Sequence, residues 1–579
     1  MNIQQLNTPR IQNSRPDNKR AGHSDVHFTG VFETLESGFT LGLRYLDTNQ
    51  AVGANLVDLG SMVIPRTWVD FRDRGPAAGL ETGRREASGT TNHSLVGVYG
   101  TLGGLAVAAA TGLNHKFGIR AHKIFADDST LNIIAKSWHD AVHSFDGKDF
   151  DSDAVLKKHI NNIVDKIRVF NTDADKATGY VKIPQEAKQL VSDSLFNALK
   201  NADAKTVLPD DVAKYVYNVV TAYTGGEKNV LLVAEKGGKD AANTLKTLVK
   251  NIFNLTNAFK ADKALNEFKS AAKLETNDLL KRLRGMNSTR SKIGLGIATL
   301  VGVSTQPINM YLTKKKTGSD GFVGVEGRQK DKSNSFKVLK CIMAIIFGAG
   351  TLSTITTNPR KFASKLQFQG MMPTINQLKF VYGMTITSRL LAARDKDELR
   401  ESAVKDSLGF LNLLVLGALV SKYSARIFNS KLVNKLDDAG KTFWGKVKNE
   451  LNSSLKTRDE VLMSTLQQQG ISVVKDGKAL TVRELLKKVN EITDPAVKDS
   501  LKEQLRALNF SQAIGYAYSG LILGLGIPKL NIHMTKQSEA KRKARLAALK
   551  ADSAANGQML NNDNRKFLKE FAMKGVSLS

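Results

Sequence analysis

Four stretches of this chain carry no charged residue over about the length that a helix needs to cross a bilayer, roughly 20 residues at 1.5 Å of rise each. They run from Ser94 to Asn114, Ile293 to Thr313, Cys341 to Pro359 and Ala507 to Pro528, and the last three are bounded by cations on both sides. A soluble chain with 24% charged residues rarely leaves four such gaps. A fifth run, Ser407 to Ser421, is apolar at its centre but short, and a sixth, Met371 to Ala393, contains Lys379 and Arg389. We read these as membrane segments at 94–114, 293–313, 341–359, 371–393, 407–421 and 507–528. The competing reading is a set of buried helices in a large soluble protein, because several runs are rich in Gly, Ser and Thr.

Composition bears on that choice. The chain has 46 Gly against 11 Pro, and Gly is disfavoured in soluble helices but common in membrane helices, where it lets backbones approach. With 84 Lys and Arg against 55 Asp and Glu, the formal charge of +29 calls for an anionic neighbour. Phospholipid head groups and nucleic-acid backbones both qualify. The single cysteine, Cys341, excludes a disulfide framework and a Cys-rich zinc site, and it lies in an apolar run where a thiol packs.

Residues 1–30 are polar and read as a disordered start, without the apolar core of a cleavable secretory signal. Around Val26, His27, Phe28, Thr29 and Gly30 the chain resembles uncharacterised helical membrane proteins of non-photosynthetic, gut-dwelling relatives of cyanobacteria. That resemblance implies no activity. Residues 31–65 follow as an apolar helical hairpin ended by Pro65, with Phe32, Leu35, Phe39, Leu43 and Leu46 on one face.

Residues 66–93 form a connector dense in charge, with Arg72 and Arg74 beside Asp70, and Arg84 and Arg85 beside Glu81 and Glu86. It reads either as a self-neutralised loop or as a contact for lipid phosphate or a partner, made by Trp68, Arg84 and Arg85. Two hydrophilic helical regions occupy 115–291 and 424–506. In the first, Leu156, Ile160, Ile163 and Ile167 repeat at helical spacing, as do Leu245, Leu248, Ile252, Leu255 and Phe259. In the second, Thr481 and Glu484 make a capping box, and Pro495 starts a helix ending near Leu508. Strand signals are confined to Val230–Val233 and Ile471–Val474. Residues 529–579 form a basic tail whose Lys541, Arg542, Lys543 and Arg545 suit an anionic membrane surface.

Motifs with chemistry are few. His139 and His143 stand one helical turn apart and are the best metal candidates, but no Glu lies between them and a third ligand is unspecified. Gly440, Lys441 and Thr442 resemble the end of a phosphate-binding loop, yet Lys435 stands where its first glycine belongs. Gly100 with Gly104, and Gly520 with Gly524, have the spacing that lets two helices meet closely. Pro307, Asn309, Thr313 and Lys314 close one apolar run, and Pro528, Asn531, Thr535 and Lys536 close another. The echo reads either as a duplicated half, as in transporters with internal repeats, or as two helices leaving the membrane with the same chemistry. In both readings the proline breaks the helix.

The expected fold class is all-α, with multi-pass membrane helices and two extramembrane helical bundles. Short loops rich in Lys, such as 314–337, put one side in the cytoplasm and both bundles outside, although Arg360, Lys361 and Lys365 oppose this. The expected role is a non-enzymatic structural or partner-binding protein of a bacterial inner membrane, with no catalytic residue or cofactor. Its partners would be anionic lipid head groups and unknown proteins. The alternatives are a transporter with a degenerate internal repeat and a soluble, basic, nucleic-acid-associated structural protein. The scarcity of aromatic residues in the basic tail lowers the last.

Overall fold

The computed structural model describes residues 56, 58–145, 150–170, 180–203, 206–226, 229–235, 237–325, 329–412, 416–434 and 453–556. It is helical, with 77% helix against 5% strand. Among the described residues, three helices are long and apolar enough to cross a membrane: Pro76–Ala110, Asn334–Ser353 and Pro495–Asp552. The resemblance at Val26–Gly30, the helical face from Phe32 to Leu46 and the Gly440–Thr442 turn lie outside the described residues.

The chain enters through a π-helical turn, Leu59–Val63, that runs into α1, Ile64–Arg74. Gly75, at φ 91°, reverses the chain, and Pro76 opens α2, Pro76–Ala110. The stretch 66–93, expected as a connector, is therefore a helical hairpin. Its charges explain why: Arg66, Asp70 and Arg74 recur every fourth residue, as do Glu81 and Arg85, so they line one helical face.

The first hydrophilic unit follows. Helices α3, Asp128–His143, and α4, Ser152–Lys166, start at Asp127 and Asp151, whose carboxylates accept backbone amides of the first turn. Strands β1, Ile167–Phe170, and β2, Tyr180–Lys182, come before α5, Gln185–Lys200, and α6, Asp210–Thr224. Strands β3, Asn229–Leu232, and β4, Ala241–Thr244, precede α7, Leu245–Lys260, and α8, Asp262–Ser270. The strands form one antiparallel sheet in the order β2-β1-β3-β4, so the unit is not purely helical. Ile167 does not continue α4, because Ile-Arg-Val-Phe alternates buried and half-buried residues and pairs with β3. Trp138, Ile160, Leu195, Phe253 and Phe259 fill the core between helices and sheet.

Helix α9, Asp278–Thr317, returns along the whole of α2. Gly100 meets Gly294 where the two helices cross: a Cβ on Gly294 would stand 2.8 Å from the Gly100 Cα. Gly104 in turn leaves room for the Arg290 guanidinium. Helix α10, Asn334–Ser353, crosses back, and α11, Ile375–Ala392, packs against both α9 and α10. Cys341 lies exposed on α10 rather than packed.

A turn at Ala393–Asp395 leads into α12, Lys396–Leu411, and α13, Gly417–Phe428. The second hydrophilic unit holds the hairpin of β5, Val433–Asn434, and β6, Ser454–Leu455, then α14, Arg458–Gln468. The hairpin of β7, Val474–Lys475, and β8, Lys478–Ala479, precedes α15, Val482–Lys488, which begins at the Thr481–Glu484 capping box. Tyr217 donates a hydrogen bond to Asp459 at 3.0 Å, so both units sit together at one end of the long helices.

Helix α16, Pro495–Tyr518, does not stop near Leu508. It passes through a π-helical stretch, Ser519–Gly526, into α17, Ile527–Asn556. Neither Pro307 nor Pro528 ends its helix, contrary to the sequence expectation. A proline leaves the carbonyl four residues earlier without its amide partner, and Ser388 of α11 donates to that carbonyl, Val303 O, at 2.8 Å. Near Pro528 the π-stretch shifts the pattern, since the Ile527 amide bonds Ile522 O. That leaves Leu523 O open, and Arg66 Nε takes it at 3.2 Å.

Candidate functional site: an ionic junction inside the long-helix bundle

The hairpin α1–α2 and the hairpin α11–α12 bring their charged faces together at the end of the bundle opposite the hydrophilic units. Six cations meet there, Arg66, Arg74, Arg85, Arg389, Arg394 and Lys405. Six carboxylates face them, Asp70, Glu81, Glu86, Glu398, Glu401 and Asp406. All are buried except Arg74, whose side chain is still only 7% exposed.

The pairing is dense. Arg394 donates to Glu81 Oε1 at 2.5 Å and to Glu398 Oε2 at 2.9 Å. Arg74 engages Glu401 through both terminal nitrogens, at 2.9 Å from Nη1, and Asp70 at 3.4 Å. Arg389 reaches Asp406 at 3.1 Å, and Glu86 lies 3.1 Å from both Lys405 and Arg85. Thr82 donates to Asp70 Oδ2 at 2.5 Å. Dense pairing of opposite charges lets the cluster persist away from water, because an unpaired charge there would carry a large desolvation cost.

Phe322 covers the cluster from the end away from the hydrophilic units. Its ring lies 5.0 Å from the Arg74 guanidinium and 5.8 Å from that of Arg394, within cation–π range. Beneath Phe322 and Val323 is a cavity of about 30 Å³, bordered by Glu81, Thr82, Glu401 and Ser402. Outside the bundle the helices expose large apolar side chains: Leu300 is 72% exposed and Ile345 68%, and Leu102, Ile308 and Leu521 are also exposed. Paired charges thus lie buried at one end of the bundle, beside apolar clusters such as Phe336, Ile386 and Leu390, while large apolar side chains stand exposed on its outside.

Other sequence candidates fall elsewhere. Trp68 is exposed on α1. Arg84 and Arg85, considered as lipid contacts, turn inward: Arg84 bonds Thr313 Oγ1 at 3.0 Å and Asn309 Oδ1 at 3.4 Å, and Arg85 pairs with Glu86. Lys541, Lys543 and Arg545 are exposed on α17, while Arg542 is partly covered and pairs with Glu539 at 2.7 Å. Gly524 abuts the Ser61 carbonyl and Pro65 at the crossing of the two π-helical turns, and Gly520 packs beside Ser61.

The rings of His139 and His143 lie against each other at a tilt of 48°, centroids 4.2 Å apart, and their Nε2 atoms lie 2.9 Å from Ala271 O and 3.1 Å from Phe268 O. They dock α3 onto the carbonyl end of α8. Among the described residues, no group of three His, Cys, Asp or Glu side chains is placed to hold a metal.

Of the two ionisable residues in the sixth run, Arg389 belongs to the junction. Lys379 instead bonds Thr354 O at the bundle edge, and Asp58 accepts from Thr90. The sequence does not reveal the junction, because 66–93 reads as a connector and 394–406 as the gap between two membrane segments. The signal lay in the fourth-residue spacing of their charges. Comparison with protein-family models, with curated proteins and with solved structures found no match.

Proposed function

We propose that this chain is a multi-pass integral membrane protein of a bacterial inner membrane whose long helices hold two hydrophilic units at one face for partner recognition. The observation that carries the reading is the bundle's combination of a buried, paired ionic junction with exposed Leu and Ile on its outside. Hydrocarbon accepts such a surface, and water does not. The dense cross-pairing between the hairpins favours a structural role for the junction, setting their register. Lys314, Lys315 and Lys316 lie at the junction end of α9, and the exposed cations of α17 lie beyond the same end. That end therefore faces the cytoplasm and its anionic lipids.

Carbonate and high-salt washing of membranes tests the reading. The protein is expected to stay in the pellet until detergent is added, and release by carbonate or salt would turn attention to nucleic acid.

A second reading, a transporter, has its own support, because ionisable side chains within a membrane bundle commonly mark solute or proton pathways. It predicts that reconstituted protein moves protons and that Glu81→Gln abolishes the flux.

A further inference from the structure

The contacts between the two hairpins come in reciprocal pairs. Arg74 of the first hairpin binds Glu401 of the second, and Arg394 of the second binds Glu81 of the first. Helix α9 packs on α11, while the π-stretch before α17 packs on α1 and the π-turn that precedes it. Gly302 of α9 admits Thr385 of α11, and Gly524 admits Pro65 of α1. Asn92 of α2 reaches Ala298 O on α9, and Asn412 beyond α12 reaches Ser519 Oγ at the end of α16. Contact of i with j matched by contact of j with i is the signature of a twofold axis.

The sequence carries the same symmetry. Arg74, Glu81, Gly89, Asn92 and Gly97 recur at identical spacing as Arg394, Glu401, Gly409, Asn412 and Gly417. Between them, Thr82, Gly83, Arg85, Glu86 and Ala87 match Ser402, Ala403, Lys405, Asp406 and Ser407 in order and kind. On the return helices, Gly302, Asn309, Thr313 and Lys314 match Gly524, Asn531, Thr535 and Lys536. The matched threonines also accept matching bonds from their own copy's hairpin, though from arginines one helical turn apart in the repeat: Arg84 bonds Thr313 at 3.0 Å, and Arg400 bonds Thr535 at 2.8 Å.

We infer that the chain is a tandem duplication of one hairpin-and-return-helix unit, and that Phe322 covers a water-sized polar cavity on the axis between the two copies. Both hairpin turns lie at the junction end, so the copies are parallel and their axis runs along the bundle. Helix α10 supplies the extra crossing that a parallel repeat needs. Each copy carries one hydrophilic unit between its outgoing and return helices, large in the first and small in the second.

The cavity bears the marks of the axis. Glu81 and Thr82 border it from one copy, and Glu401 and Ser402 from the other. Phe322 touches the equivalent arginines of both copies, 5.0 and 5.8 Å away. A volume of about 30 Å³ holds one or two water molecules and nothing larger.

The inference rests on the bundle geometry, and its test is separable from membrane location. In full-length protein with Cys341→Ser, Thr82→Cys and Ser402→Cys are made singly and reacted with a small charged thiosulfonate, in membranes and in detergent micelles. With Phe322 in place, both thiols should react slowly and at similar rates, since the cavity excludes the reagent. Adding Phe322→Ala should raise both rates at least tenfold, and Phe322→Leu, which keeps the cover, should raise them less. Acceleration at one position alone, or at neither, would overturn the inference. Release of the protein by carbonate would refute the membrane reading and leave this comparison intact.

Discussion

Arg74 and Glu401 lie 327 positions apart in the chain, yet the guanidinium meets the carboxylate through both terminal nitrogens, 2.9 Å from Nη1 to Oε2. Arg74→Ala strands Glu401 in a site that is nearly closed to water. Breaking a buried pair from one side costs about 3–5 kcal/mol, so thermal unfolding in detergent should shift sharply downward. The reversal Arg74→Glu with Glu401→Arg should regain a substantial part of that loss. No recovery on reversal would mean that the pair is not the operative contact.

Glycines in α9 divide into two kinds. Gly294 sits against Gly100 of α2, whereas Gly285 and Gly296 have nothing within 4 Å of a built Cβ. Gly294→Ala is expected to destabilise by about 1–3 kcal/mol through overpacking. Gly285→Ala should stabilise by about 0.5–1 kcal/mol, the helix-propensity gain of Ala over Gly. Melting curves of the two variants should move in opposite directions.

Ser388 and Pro307 are coupled through one carbonyl. Ser388→Ala leaves Val303 O without its donor, and an unsatisfied buried polar group costs about 1–3 kcal/mol. Pro307→Ala supplies an amide to that same carbonyl. A double-mutant cycle should therefore show the serine substitution costing less in the Pro307→Ala background. Additive losses would show that the two residues act separately.

His159, in α4 of the first hydrophilic unit, is fully buried, edge-on to Trp138 at 5.1 Å and 3.0 Å from Thr256 Oγ1. Burial holds its pKa down at about 3 against an ordinary 6.5. The unfolded chain thus binds a proton below pH 6.5 while the folded chain stays neutral, so stability is full above that pH and falls as pH drops toward 3. At pH 5 the loss is about 2 kcal/mol, at 1.36 kcal/mol per unit. The protection factors of α4 amides, which are the intrinsic exchange rates at each pH divided by the observed rates, should fall between pH 6.5 and 5 in the intact protein. His159→Gln should flatten that dependence.

The helical class was legible from the sequence, and three of the six expected segments, 94–114, 341–359 and 507–528, overlap helices long and apolar enough to cross a membrane, because uninterrupted hydrophobicity over this length has few structural uses. The capping box at Thr481 and Glu484 was equally plain, since its hydrogen bonds are local. What stayed hidden was set by contacts between distant segments. Arg66, Glu81, Arg394 and Glu398 look like loop charges until the facing hairpin supplies their partners. Pro307 and Pro528 looked like helix ends because their compensating features, Ser388 and the π-stretch before Ile527, stand elsewhere or need backbone geometry to see. Asn309, Thr313, Asn531 and Thr535 were noticed as an echo. The fuller repeat around Arg74 and Arg394 was obscured because its two copies flank inserts of different length.

The decisive experiment is side-specific labelling of single cysteines in intact bacteria. With Cys341→Ser as background, Lys239→Cys marks the exposed surface of the first hydrophilic unit, and Lys316→Cys marks the junction end of α9. An impermeant maleimide should label position 239 in intact cells with a permeable outer membrane, and position 316 only after the inner membrane is breached. Equal labelling of both positions in intact cells, or equal protection of both until lysis, would contradict a bundle that spans the membrane with its ionic junction at the cytoplasmic end.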